Sequence, residues 1–336
     1  MLNLQLLTRS LLWSIREEAV IPAILGLTRP SEATADRWEA AKPSTMGMGK
    51  TGNKMAVIPV EGVLTKDGPA WYGSNYDSIS KALEMSAADS DVKHIVMSVD
   101  SPGGEVTGLP ETAQLVAEVA KSKPVTAMVH GMSASAAYWL TSQARDVVLT
   151  PSGEVGSIGV RMMHMDVSKM LDNAGVKVTE LYSGDHKTEW SPYKPLSQDA
   201  IDAEMPRLQS AHQQFISAVS GARGERLGQQ MRESRIGEGR MFSANDALSH
   251  GLVDILQSQR DFYKSIVTES AQTDPVTRGF PTPAHREHAH RLRLSGMMPM
   301  SDCVCECPEC KDGRCEDCSH DACDCEGCTC NEDMNK

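Results

Sequence analysis

The sequence predicts an α/β fold, a parallel or mixed sheet covered by helices, with less regular segments at both ends. Three observations carry this. Short apolar runs rich in β-branched residues alternate with segments of helical length through the middle of the chain. Glycine- and serine-rich turns follow the strands, where open α/β sheets place their ligand sites. All ten cysteines, by contrast, lie between Cys303 and Cys330, apart from the alternating region.

The first of these strands is expected at Ala56–Val60, followed by a helix over Tyr76–Ser86. His94–Val99 is the second strand, and Leu109–Lys121 the helix after it. Val125–Val129 then leads into a helix expected over Ser133–Ala144, with further strands at Asp146–Leu149 and Val176–Leu181. A long helix follows, its apolar residues Ile201, Met205, Leu208, Phe215 and Val219 forming a stripe read as core packing, with a kink or restart at Pro206. The segment Gly239–Asp254 reads as a short helix ended by a glycine, then a strand. The resulting division is 1–53 as an N-terminal segment and linker, 54–267 as the folded domain, 268–300 as a second linker and 301–336 as an acidic tail.

Composition narrows the function classes. The formal net charge is −12, and eleven acidic against three basic residues beyond position 300 account for −8 of it. The remainder is mildly acidic and shows no basic face for nucleic acid. Met1–Trp13 is apolar but interrupted by Arg9, and reads as a short amphipathic docking helix or an unstructured leader. No run reaches the roughly 18 apolar residues of a membrane span, so the expected compartment is cytosolic. Residues 29–53 read as a linker, and Gly47–Thr51 lacks the spacing of a phosphate loop.

The chemistry-bearing stretch is Gly131-Met-Ser-Ala-Ser135-Ala-Ala-Tyr-Trp139, which follows a strand and opens a helix. A serine there, flanked by small residues, leaves room for a peptide carbonyl and presents free N–H groups to it. The pair Gly103-Gly104 after the previous strand can bring in another backbone donor, because residues without side chains permit close approach. The base is less clearly marked. None of His94, His130, His164, His186, His212 and His250 sits in a triad-like motif, whereas a lysine serves when desolvation favours its neutral amine. Lys187, in a polar loop beside Trp190, is the candidate, with Lys194 a competitor for the base and Ser133 for the nucleophile.

Five blocks in order carry a family resemblance: Val99–Gly104, Ala134–Trp139, Thr150–Gly159, the Lys187 loop ending in Ser191-Pro192, and Gly239–Asp254. The region resembles the S49 peptidases, the signal peptide peptidase A family, and within it the phage head-maturation branch. The resemblance implies a ClpP/crotonase-like fold and a serine-lysine endopeptidase without a catalytic cofactor. It places the nucleophile on Ser135 and the general base on Lys187. Ser157 becomes the lysine's hydrogen-bonding partner, and the N–H of Ala136 with that of Gly103 or Gly104 forms the oxyanion hole. Relatives commonly carry Ser-Gly-Gly where this chain has Ser135-Ala136-Ala137, and the added methyls are expected to narrow the cleft. The family's single-domain members form rings or domes in which the lysine reaches a neighbour's serine, so a homo-oligomer is expected.

The implied substrates are protein or peptide, scaffold and capsid proteins of a phage prohead in particular, which would place the chain in host cytoplasm or prohead. A cellular peptidase acting on signal or membrane-derived peptides is the alternative within the family. An inactive assembly protein and a crotonase-type acyl-CoA enzyme are the alternatives outside it. The tail is a separate matter: Cys307, Cys310, Cys315 and Cys318 have a spacing compatible with one zinc site, against readings as an acidic tail without metal or a disulfide-linked one.

Overall fold

A computed structural model of the chain describes residues 13–15, 43–48, 53–67, 73–224, 227 and 236–269. In chain order the elements begin with strands β1 (Trp13–Ile15), β2 (Ser44–Met48) and β3 (Asn53–Leu64), then helix α1 (Tyr76–Ala88), β4 (Val92–Glu105) and α2 (Leu109–Ser122). β5 (Val125–Ala134), α3 (Ala136–Ser142), β6 (Asp146–Leu149), β7 (Glu154–Gly156) and α4 (Ser168–Asn173) follow. The last are α5 (Gln198–Arg223), β8 (Met241–Ser243), α6 (Ala244–Ser249), β9 (Ile255–Leu256) and α7 (Gln259–Glu269).

The central sheet has the order β2-β3-β4-β5-β6-β9, parallel throughout except for the antiparallel edge strand β2. Parallel strands need both faces covered, and strand alternation supplies two apolar faces. Ile95, Met97 and Val99 of β4 join Val125, Ala127 and Val129 of β5 in the larger core, with residues of α1, α2, α3 and α5. On the opposite face Val96 and Met128 pack with Met55, Val148 and, from α7, Phe262 and Ile266.

The helix ends follow local chemistry. Asn75 caps α1 by accepting the Ser78 N–H at 2.8 Å, and Ser197 accepts the Ala200 N–H at the start of α5. Arg223, 5% exposed, ties the end of α5 to the sheet. Its guanidinium donates to both carboxylate oxygens of Asp254 at 2.8 and 2.9 Å, and Asp254 also accepts the Val147 N–H.

Several expectations are corrected. Ser44–Met48, read as linker, is a strand whose residues pair with Asn53–Val57. Trp13, read as the end of an amphipathic helix, lies in β1, paired antiparallel with β4; residues 1–12 are outside the described set. β4 does not stop before the glycines but continues through Gly103 and Gly104 to Glu105. The helix expected from Ser133 begins at Ala136, because Ser133 and Ala134 are held in the sheet by Val155 and Gly156.

Val176–Leu181 alternates like a strand but has no ladder partner among the described residues, and Leu181 is 95% exposed. Alternation expresses a preference that only a neighbouring strand can satisfy. α5 runs unbroken past Pro206. Its stripe is core at Phe215 and Val219 but half-buried at Ile201 and Leu208 and exposed at Met205.

Candidate active site

The candidate site forms where β5 leaves the sheet. β4 and β5 pair in parallel as far as Ser101 opposite Ser133, while the opposite edge of β5 pairs with β7 over Met132–Ala134. The register shift between Val99 and Ser101 is bridged by Asp100, whose carboxylate accepts the Met132 N–H at 3.0 Å. Gly131 makes the space: a Cβ there would lie 2.4 Å from Asp100 Oδ1.

Ser135 stands alone between β5 and α3. Its φ of 55° and ψ of −121° fall outside the basins that side chains ordinarily occupy. Its N–H donates to Gly156 O at 2.8 Å, and its Oγ lies 3.4 Å from Gly159 O as a donor. Among the described residues only one other non-glycine has positive φ: Ser157, at 53°. Strain of this kind costs about 1–3 kcal/mol per residue and collects at functional sites. A serine on a sharp strand-to-helix turn is also how α/β-hydrolases expose a nucleophile.

The turn is braced from behind. All seven residues of α3 are buried, the Tyr138 hydroxyl donates to Leu252 O at 2.8 Å, and Trp139 stacks on Phe215 with ring centroids 4.7 Å apart. Burial pushes the Tyr138 phenol above its ordinary range, so it stays a neutral donor. Ala136 and Ala137 are fully buried, and their methyls are part of the main core. Ala136 is the first helical residue, whose N–H has no acceptor within the helix.

On the other wall Gly103 has φ +98°. Gly104 presses against β3, where an added Cβ would meet Leu64 O at 1.8 Å. Ser101 braces this strand end: its Oγ donates to Gly62 O at 2.7 Å and accepts the Gly103 N–H at 3.2 Å. Gly156 has φ +131° and backs onto β8, leaving 2.5 Å between an added Cβ and Arg240 O; the Ser157 N–H then donates to Arg240 O at 2.7 Å.

Ser135, Ala136 and Ser157 thus converge on one junction beside the β4 turn, but Lys187 is not joined to them. It is exposed in the turn following Gly184, and among the described residues no hydrogen bond links it to Ser135. The adjacent His186 pairs with Glu189. Lys194, the competing base, donates to Thr188 Oγ1 at 3.0 Å, and Ser133 shares a buried bond with Thr141 Oγ1. A groove of about 620 Å³ between α2 and α5, lined by Ala113, Trp139, Gln143 and Gln214, includes none of the candidate catalytic residues.

Residue-level reading missed Asp100 and Ser101, although both lie inside the Val99–Gly104 block; their signal was a polar pair between an apolar strand and two glycines. Cys307, Cys310, Cys315 and Cys318 lie outside the described residues. Among the described residues no cluster of His, Cys, Asp or Glu could hold a metal, and no helix is long and apolar enough to cross a membrane.

A strained serine at a strand-to-helix turn above a parallel sheet is the arrangement in which α/β-hydrolases present a nucleophile. Comparison with known proteins narrows this further: the peptidase family S49 model matches residues 117–273, somewhat under half of the chain.

Over 213 residues the chain is 33% identical to capsid assembly protease C of Escherichia phage lambda, covering 62% of this chain and 48% of that protein. It is 29% identical over 221 residues to head-tail preconnector protein GP5 of Enterobacteria phage P21, covering 64% and 43%. Protease 4 of Salmonella typhi is 32% identical over 208 residues, covering 61% and 33%. The chain therefore spans about half the length of the phage relatives or less.

Proposed function

We propose that the chain is a serine endopeptidase in which Ser135 is the nucleophile and Lys187 the general base, and that it cleaves scaffold or capsid proteins of a phage prohead. The observation that carries the reading is the backbone of Ser135, held in a costly conformation between two strand ends and a buried helix. Lys187 takes the proton from Ser135 Oγ as the oxygen attacks the peptide carbonyl. The N–H groups of Ala136 and of Gly103 or Gly104 receive the oxyanion. The proton passes to the leaving amine, and water then releases the acyl group from Ser135 by the reverse sequence. Ser157 holds the lysine amine in line.

Lys187 meets Ser135 in this scheme by crossing from an adjacent copy. The exposure of Lys187 supports this, as do the exposed apolar residues Met163, Met170, Leu181 and Tyr182 in the segment leading to it, which a neighbouring copy would cover. The names of the two phage relatives, a capsid assembly protease and a preconnector protein, favour prohead substrates over signal peptides.

The test expresses the wild type beside Ser135→Ala and Lys187→Ala with the products of neighbouring virion genes as substrates. Each variant should lose cleavage by about a thousandfold or more, and mixing the two should restore part of it, since each supplies what the other lacks. Cleavage by Ser135→Ala at the wild-type rate would end the proposal. Failure of the mixture to recover would end only the crossing of Lys187 between copies.

A further inference from the structure

The inference concerns β1, and it rests on the peptidase reading of Ser135. At Gly103 and Gly104 one edge of β4 is taken by Val63 and Leu64 of β3. The other edge belongs to β5 as far as Ser101–Ser133, and β5 ends one residue later at Ala134. β1 takes the edge that β5 gives up: Ile15 lies opposite Gly103, Ser14 opposite Gly104 and Trp13 opposite Glu105, antiparallel. A strand has two edges, so β1 lies on the Ser135 side of β4. Its direction brings the chain from Trp13 to Ile15 toward the Ser101–Ser133 end, two residues before the nucleophile.

An extended peptide that enters a peptidase by strand addition takes its main-chain bonds from such an edge. We propose that Trp13–Ile15 is an autoinhibitory strand: it holds the Gly103–Glu105 edge that an extended substrate would otherwise join by strand addition. β1 must leave before a substrate strand can pair there. The two glycines fit this use. Gly104 already touches Leu64 O on the β3 side, and neither glycine adds a side chain between the edge and an incoming backbone. The site is thus selective for backbone in extended form, and the chain's own N-terminal strand competes for it.

Proline tests this in the full-length protein, because it removes an N–H from the ladder. Alternate residues face the same partner, so either Ser14 or the pair Trp13 and Ile15 donates to β4. Ser14→Pro and the double change Trp13→Pro with Ile15→Pro therefore cover both cases. The first readout is amide exchange at residues 103–105 in a Ser135→Ala background, with residues 125–129 of β5 as the folding control. At least one proline variant should exchange faster by about tenfold, the effect of losing one or two net backbone hydrogen bonds. A synthetic peptide of residues 10–18 should restore the protection.

The second readout, with Ser135 intact, is cleavage of an unfolded polypeptide, which the same proline variant should speed by a similar factor and the peptide should inhibit. Unchanged exchange at 103–105 in both variants, with β5 protected, overturns the inference whatever the activity. Changed exchange restored by the peptide, with no cleavage by any variant, upholds the strand site and overturns the peptidase reading instead.

Discussion

Replacing Arg223 by leucine is expected to cost about 3–5 kcal/mol of stability, the effect of leaving a buried ion-pair partner uncompensated. The magnitude follows from the surroundings. Arg223 is 5% and Asp254 17% exposed at the side chain, and the two meet through paired bonds of 2.8 and 2.9 Å. The guanidinium also donates twice to Gly251 O, at 3.2 Å from Nε and from Nη2. In the Arg223→Leu variant Asp254 keeps the Val147 N–H, one neutral donor where it had a cation as well. With a urea slope of about 2–3 kcal/mol/M the midpoint should fall by about 1–2 M. Asp254→Leu alone should be comparably harmful, whereas the double replacement should recover most of the loss, because no charge is then stranded. Urea titration of the four proteins, followed by tryptophan fluorescence, gives the coupling energy directly. Single losses under about 1 kcal/mol, or a double variant equal to the sum of the singles, would refute the account of this pair as a mutually dependent latch.

Three further outcomes are expected. Gly104→Ala should unfold the β3–β4 contact locally and cost about 2–3 kcal/mol, since its Cβ would sit 1.8 Å from Leu64 O; a thermal melt equal to wild type would contradict the close approach. Ser157→Gly should gain about 1 kcal/mol by releasing the strain at φ 53° while lowering the cleavage rate, and a rate unchanged alongside the gain would remove the hydroxyl from the mechanism. His94 is buried, and desolvation, followed by the nearby Arg145, lowers its pKa from 6.5 to about 4. The unfolded chain therefore binds the proton more readily. Stability is full above pH 6.5 and falls as pH drops toward 4, by about 2 kcal/mol between pH 7 and 5. Urea titrations at those two pH values should show this slope in the wild type and its loss in His94→Gln.

Much of the fold was legible because β3, β4 and β5 carry their own signal. Their β-branched runs are buried on both faces, and the segments between them are long enough for right-handed crossover helices. What escaped depended on partners distant in sequence. Ser44–Met48 carries glycine and polar residues unlike a core strand, and is an exposed edge strand only because β3 offers an open edge. The end of β4 looked like a turn since glycines usually punctuate strands, but here they let β3, β4 and β1 run side by side. Val176–Leu181 failed in the opposite sense, with the right alternation and no neighbour within the described chain.

The candidate site was legible to a different depth at each residue, and the difference separates what a single chain fixes from what it does not. Ser135 was singled out by its small flanking residues and Ser157 by the family resemblance, and their backbones prove to be the two strained non-glycine positions among the described residues. Such strain persists only when the surroundings over-determine it, and here they do. Gly156 binds the Ser135 N–H, Arg240 O binds the Ser157 N–H, and α3 is locked by Tyr138 and Trp139. Among the described residues no comparable set of bonds fixes the Lys187 side chain, and none covers its exposed loop. Under the proposed mechanism this lysine must be desolvated to act as the base, so activity would depend on a second surface. Dilution should therefore abolish cleavage at a concentration where the melting temperature of the domain is unchanged. Sedimentation run beside the assay decides it, because full activity in a demonstrated monomer would leave Lys187 without the shielding its role requires.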